Sequence, residues 1–184
     1  MPNLTSERLR IEPIRSTHAP LVFSPLQDPA IYTYLPEDPP TFEALQNRYD
    51  YLESGCSPDG EALWLNWVGF LRDSMTPVGT FQATLPKGKA GSFAYVVFPP
   101  FWRQGYAREM ARCVISHVFE AHQTTSLYAE IDTRNTGSIR LVESLGLTRT
   151  ATTQAADFFK GASSDEYTYS VSREDWSAQQ SADG

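Results

Sequence analysis

Val96-Val97-Phe98-Pro99-Pro100-Phe101-Trp102-Arg103-Gln104-Gly105-Tyr106-Ala107 decides how this chain is read. A β-branched apolar run meets two prolines and a short basic turn, then passes into a helix, so the segment spells strand, loop, helix start. Beyond it Ala107, Met110, Ala111, Val114, Ile115, Val118 and Phe119 recur at threes and fours, the pattern of a long helix with one buried face. A helix N-terminus leaves backbone N–H groups unpaired and carries partial positive charge, so a loop entering through a small residue can wrap a pyrophosphate. Gly105 permits close approach, and Ala107 keeps a second contact clear. From Lys87 to Arg112, Lys87, Lys89, Arg103, Arg108 and Arg112 stand against Glu109 alone, within a chain of net charge −7. An anionic ligand is expected at this loop.

Working outward, the alternation over Leu9–Pro13 predicts a short strand. A helix over His18 to Leu26, capped by Ser16 or Thr17 and stopped by Pro29, follows it. Thr41 opens a second helix to about Ser54 through Phe42, Leu45, Tyr49 and Leu52. Leu63 to Leu71 and Val78 to Leu85 flank a turn-like stretch and read as a hairpin, with Ser92 to Phe98 as the next strand. Downstream come a strand at Leu127 to Ile131, a helix at Thr136 to Ser144 ended by Gly146, and closing strands at Thr148 to Thr153 and Glu166 to Val171. An antiparallel meander feeding a strand-helix-strand crossover makes an α+β protein, a mixed sheet covered by helices. A dinucleotide-binding fold is disfavoured, because WRQGYA lacks the G-x-G-x-x-G fingerprint and follows a meander.

The 184 residues suit a single domain spanning 1–184, and 41% hydrophobic with 12% aromatic residues is enough for a packed core. The acidic balance argues against nonspecific binding to nucleic acid or anionic membranes and leaves cationic partners comfortable. Cys56 and Cys113 lack CxxC spacing, and the N-terminus MPNLTSERLRIEP has neither a basic start nor an apolar run. No apolar stretch reaches the length of a membrane span, so a soluble, cytoplasmic protein with reduced thiols is expected. Cys113 and His117 stand at i, i+4, but no further ligand pair is near them, and no metal is expected.

Asn135-Thr136-Gly137-Ser138, then Leu141, Glu143, Leu145, Gly146 and Leu147, open the helix after the Leu127 strand. Together with WRQGYA this resembles the GNAT (Gcn5-related N-acetyltransferase) superfamily, whose signature pairs an R/Q-x-x-G-x-G/A loop with N-x-x-S and E-x-L-G-F-like residues in the next helix. WRQGYAREM, Trp102 to Met110, resembles the WGKGYATEA run of the subfamily of the ribosomal-protein alanine N-acetyltransferases RimJ and RimL. TSERLR (Thr5 to Arg10) resembles that subfamily's T-E-R-L-x-L-R, and YSVSREDW (Tyr169 to Trp176) its closing strand and tail, so the likeness covers most of the chain.

The resemblance implies a mostly antiparallel seven-stranded sheet, splayed between its fourth and fifth strands and flanked by about four helices. It implies acetyl-CoA as cosubstrate and no metal, the pantetheine arm lying in the V of the splayed strands and the pyrophosphate on the loop. Carried over by residue, Val96, Val97 and Phe98 offer backbone to the arm, and Arg103, Gln104, Gly105, Tyr106 and Ala107 surround the phosphates. Asn135 contacts the arm, and Ser138 lies near the sulfur as proton donor to the departing thiolate. The chain departs from relatives at Val142, where some place a tyrosine acid, and at Ser92, where the subfamily often places a glutamate. Glu130 or Asp132 could then accept the amine's proton, and Arg103, in place of a subfamily glycine, reads as an added phosphate contact. The acceptor implied is a protein or peptide α-amine, with a small amine as the alternative and a noncatalytic acyl-CoA sensor behind both. Tyr32, Tyr34 and the loop to Pro40 lie where this fold shapes acceptor choice, and homodimers are common in the family.

Overall fold

The structure, a computed structural model, describes residues 1–182. In chain order it runs β1 (Leu4–Thr5), β2 (Leu9–Pro13), α1 (Ala19–Phe23), α2 (Phe42–Leu52), β3 (Ala62–Leu71), β4 (Pro77–Pro86) and β5 (Gly91–Val97). Then follow α3 (Tyr106–Ala121), β6 (Ser126–Asp132), α4 (Thr136–Ser144), β7 (Thr148–Phe159), β8 (Ala162–Ser172) and α5 (Arg173–Ala182). The strands form one sheet in the order β1-β2-β3-β4-β5-β6-β8-β7. Among the described residues only β5 and β6 pair in parallel, joined by the α3 crossover.

The α+β reading holds, with eight strands among the described residues where seven were expected and five α-helices where about four were. The extra strand, β1, pairs only Leu4 with Ile11 and Thr5 with Arg10, too short for any alternation to signal it. The extra helix, α5, buries little beyond Trp176, whose indole N–H donates to Ser116 Oγ at 3.0 Å, so it carries no apolar stripe to read. The expected helix from His18 to Leu26 is instead a 3-10 turn (Ser16–His18), α1 and a second 3-10 turn (Pro25–Gln27), with Arg15 rather than Ser16 or Thr17 at its start. Pro25 lacks the N–H that would continue the α-ladder. The closing strands run longer than expected and meet at Lys160-Gly161, both at positive φ (+50° and +77°), as a two-residue hairpin of the favoured twist requires.

The sheet separates two cores. On one face α3 and α4 pack Met110, Val114, Ile115 and Val142 against Trp67, Phe81, Phe93, Leu127, Ala129 and Ile131. On the other, α1 and α2 cover Val68, Phe70 and Phe98 with Val22, Leu45 and Tyr49. The parallel β5–β6 pairing is confined to Gly91 with Leu127 and Ser92 with Tyr128, after which the strands part into a V. By contrast β4 and β5 stay tightly joined: a Cβ on Gly79 would stand 2.2 Å from the Val96 carbonyl oxygen.

Candidate active site

The loop entering α3 presents backbone rather than side chains. Gly105, at φ +84°, precedes α3 with no side-chain cap, and the first helical bond is Glu109 N–H to Gly105 C=O at 3.0 Å. Among the described residues the N–H groups of Tyr106, Ala107 and Arg108 therefore stand without partners, a ready anion site. Arg103 also lies at positive φ (+59°), two residues before Gly105, in the left-handed conformation that the subfamily glycine would adopt without strain. Alternation of hand along such a loop turns successive N–H groups to one side.

The loop is held from the N-terminal segment. Arg8 donates through its backbone N–H and Nε to the Glu109 carboxylate, each at 2.7 Å, and through Nη1 to the Gln104 carbonyl at 3.0 Å. Ser6 Oγ donates to the same carboxylate at 2.7 Å, and the Arg8 guanidinium lies 4.2 Å from the Tyr106 ring centre. Glu109, the one opposing charge in the basic stretch, is thus neutralised by Arg8. Burial would push its carboxyl up, but the Arg8 and Ser6 bonds outweigh that and hold it low.

The basic stretch does not gather as its sequence spacing suggests. Lys87 sits at the opposite end of β5, 3.3 Å from Glu61, and Lys89 lies in the same turn. Arg112 bonds Gln180 Oε1 at 2.7 Å, and Arg108 reaches the Ser144 carbonyl at 3.4 Å. Gln104 spends its side-chain amide on the Pro100 carbonyl, leaving Arg103 as the exposed cation of the loop itself.

Backbone direction along β5 refines the expected pantetheine contacts. Phe98 N–H bonds Val78 C=O at 2.8 Å, so even-numbered residues here direct their backbone groups to β4, Val96 among them. The edge facing the V belongs to Tyr95 and Val97, not to Val96 and Phe98. The Val97 carbonyl accepts from Trp102 Nε1 at 2.5 Å, which leaves the Val97 N–H and both Tyr95 groups on that edge.

Across the V, Asn135 caps α4, its Oδ1 accepting from Ser138 N–H at 3.1 Å. The Ser138 hydroxyl makes no bond to its own helix among the described residues. It lies close enough to polarise the Tyr95 phenol. That phenolic oxygen is buried without a hydrogen bond of good geometry, and burial pushes its pKa up to about 12, so it stays protonated. Sequence reasoning missed Tyr95, because an aromatic residue on a core strand gives no outward sign of an orphaned hydroxyl.

Register places Glu130 and Asp132 on the face opposite α3 and α4, with Thr168 and Glu166 across from them on β8. The two carboxylates differ in freedom. Asp132 is buried, gripped by Arg134 at 2.5 Å and by Ser164 Oγ at 2.7 Å, and the Arg134 bonds hold its pKa down at about 2. It is a poor proton acceptor. Glu130 is exposed and forms no hydrogen bond or ion pair with any described residue. Glu166, not foreseen from the sequence, has its carboxyl raised by burial first and then by Glu130, Asp157 and Asp132. Val142 is fully buried in the core, and Ser92 lies at the closed end of the V. Tyr32 is also buried, its hydroxyl donating to Leu26 C=O at 3.0 Å, so of the two loop tyrosines Tyr34 has the more solvent-accessible ring. Trp67, Phe70 and Phe81 are core residues. Cys113 Sγ reaches the Thr5 carbonyl at 3.8 Å and His117 meets Trp67 edge-on. Among the described residues no three His, Cys, Asp or Glu side chains converge.

Residues 8–148 match the family model described as "Acetyltransferase (GNAT) domain". The chain belongs to the GNAT acetyltransferase family. Two curated relatives of this GNAT protein span nearly all of it. An uncharacterized N-acetyltransferase, YoaA, of Bacillus subtilis is 23% identical over 172 residues, 92% of this chain and 96% of the relative. The FsC-acetyl coenzyme A-N(2)-transacetylase of Aspergillus fumigatus is 28% identical over 193 residues, 95% of this chain and 78% of the relative. Among solved structures, a ribosomal-protein-S5-alanine acetyltransferase from Vibrio fischeri superposes with TM-score 0.81 at 18% identity, covering 96% of this chain and 99% of that one. A spermidine N-acetyltransferase from Vibrio cholerae, solved with CoA and spermine, gives 0.79 at 14% identity, covering 93% and 99%. Structures named for both a protein and a polyamine acceptor thus share this GNAT fold, and acetyl-CoA is the cosubstrate expected of the family.

Proposed function

We propose that this acetyltransferase moves the acetyl group of acetyl-CoA directly to an α-amine of a peptide or protein, with Ser138 and Glu130 as the proton-handling residues. The observation that carries the reading is the Ser138 hydroxyl, free of its own helix and beside the V whose β5 edge is open. In this reading the diphosphate rests on the N–H groups that follow Gly105 and on Arg103, with Asn135 at the arm. A β5 N–H, from Tyr95 or Val97, polarises the thioester carbonyl as negative charge develops on its oxygen. Glu130 takes a proton from the amine, directly or through water. The amine nitrogen bonds to the carbonyl carbon, the carbon–sulfur bond breaks, and Ser138 delivers a proton to the departing sulfur, regaining one from solvent as Glu130 releases its own. Tyr95, protonated and without a hydrogen-bond partner of its own, is the group beside Ser138 that can donate to Oγ as the serine proton turns toward the sulfur.

An open acceptor face supports a peptide over an enclosed small molecule: Gln82, Ala94 and Glu130 are exposed where α1 and α2 stop covering the sheet. A small amine is the second reading, favoured by the spermidine acetyltransferase neighbour. Thiol release from acetyl-CoA against peptides, amino acids and polyamines tests both. Ser138→Ala is expected to cost about 10²-fold or more in kcat with acetyl-CoA affinity intact. Binding without turnover on any amine would instead favour a sensor.

A further inference from the structure

Beside the V, on the sheet face that carries Glu130, lies a cavity of about 220 Å³. Arg48 and Tyr51 of α2, Trp64 and Asn66 of β3, and Gln82 and Thr84 of β4 line it. Asn66 is 6% exposed, and its side-chain amide, hydrogen-bonded to no described residue, is not sealed from solvent. An amide open to the cavity and unclaimed by the protein can donate to and accept from a group that enters there. Arg48 forms no ion pair with any described residue. Gln82 is exposed, and Tyr51 and Trp64 pack edge-to-face at 5.3 Å as the apolar wall.

Register ties this cavity to the reaction centre. Asn66 pairs with Gln82, and Gln82 with Ala94, the neighbour of Tyr95 on the V edge. At a strand spacing of about 4.8 Å, Gln82 stands one strand and Asn66 two strands from β5. Glu130 and Glu166 lie on the same face beyond the V. An amine placed at the V therefore has carboxylates on one side and, on the other, two amides followed by a guanidinium.

We propose that this cavity is the acceptor subsite and that it recognises the C=O group borne on the carbon next to the acceptor amine. This rests on the acetyl-transfer reading and names its substrate class, an α-aminoacyl group. The Gln82 and Asn66 amides donate to the carbonyl oxygen and accept from a following N–H, as a peptide unit asks. Arg48 suits a free carboxylate and opposes a second ammonium, which sets polyamines at a disadvantage. The volume is below that of drug-sized pockets, in keeping with one aminoacyl unit.

The test compares phenylalanine, phenylalanine amide, a Phe-Ala dipeptide, phenethylamine and spermidine as acceptors for wild type, Asn66→Leu and Arg48→Gln. Wild type is expected to prefer the three carbonyl-bearing acceptors over phenethylamine by tenfold or more in kcat/KM. Asn66→Leu should collapse that preference. Arg48→Gln, a surface change that leaves folding intact, should lower use of phenylalanine about tenfold and spare the dipeptide if peptides are the source. Equal use of phenethylamine or spermidine by wild type, with neither variant shifting the ratios, overturns the proposal. If no amine is acetylated, the transfer reading has failed, and titration of phenylalanine amide followed by backbone amide chemical shifts still decides the subsite. Shifts at Asn66 and Gln82 that vanish in Asn66→Leu support it, and no shifts there overturn it.

Discussion

Tyr95 and Arg103 show how a single position acts on the site without a charge pair to announce it. Tyr95 keeps an orphaned phenol beside Ser138, so Tyr95→Phe removes a donor and also a buried unpaired group. Its kcat is expected to fall about tenfold, with KM for acetyl-CoA changed less than twofold and melting temperature equal or higher. Loss of kcat together with unfolding would show a structural role instead. Arg103 pays for its charge with a left-handed backbone at φ +59°. Arg103→Gly should stabilise the fold by about 0.5–1 kcal/mol, read by thermal unfolding, while calorimetry shows acetyl-CoA binding weaker by several-fold and less sensitive to salt.

Between elements, Lys160 ties the β7–β8 hairpin to the segment after α1. At the β7–β8 hairpin tip its ammonium donates to the carbonyl of Tyr32, to that of Leu35 at 3.0 Å and to that of Glu37 at 3.4 Å. Three backbone carbonyls of the segment after α1 thus depend on one side chain 120-odd positions away. Lys160→Gln should speed amide exchange across residues 29–38 and raise KM for the acceptor, leaving KM for acetyl-CoA unmoved. Unchanged exchange would mean that the segment is held by its own 3-10 turn, capped by Asp28 Oδ1 on Ala30 N–H at 2.9 Å.

For the whole molecule, the ionisable groups set an acid limit. Burial lowers the pKa of His18, His117 and His122 from 6.5, so the folded state resists their protonation and stability begins to fall as pH drops below about 6.5. Asp132, held at about 2 chiefly by Arg134, and Glu109 are depressed carboxylates. Their contribution is complete above the unfolded values of 3.8 and 4.5 and is lost as pH falls through the folded ones. Unfolding midpoints measured from pH 7 to pH 2 should decline in two stages, and Asp132→Asn should flatten the second. Glu166, whose pKa is raised, acts with the opposite sign and slightly favours the folded state as it protonates.

Local pattern determined much of this protein. The threes and fours after Tyr106 became α3, Thr41 became the cap of α2 by accepting from Ala44 N–H at 3.2 Å, and Gly105 and the Asn135 to Ser138 run sit where strand-to-helix turns need them. These features depend on residues within one or two turns of each other, so the one-dimensional order contains them. Only the tertiary structure decided what the pattern could not hold. It sent Lys87 and Lys89 away from the loop while bringing Arg8 to Glu109, turned Tyr95 and Val97 rather than Val96 and Phe98 toward the V, locked Asp132 and left Glu130 free. It also assembled Arg48, Asn66 and Gln82 from three elements around one cavity. The physical reason is that strand register and the pairing of distant strands set which groups face which side, and those are settled by packing the two cores rather than by neighbours in sequence.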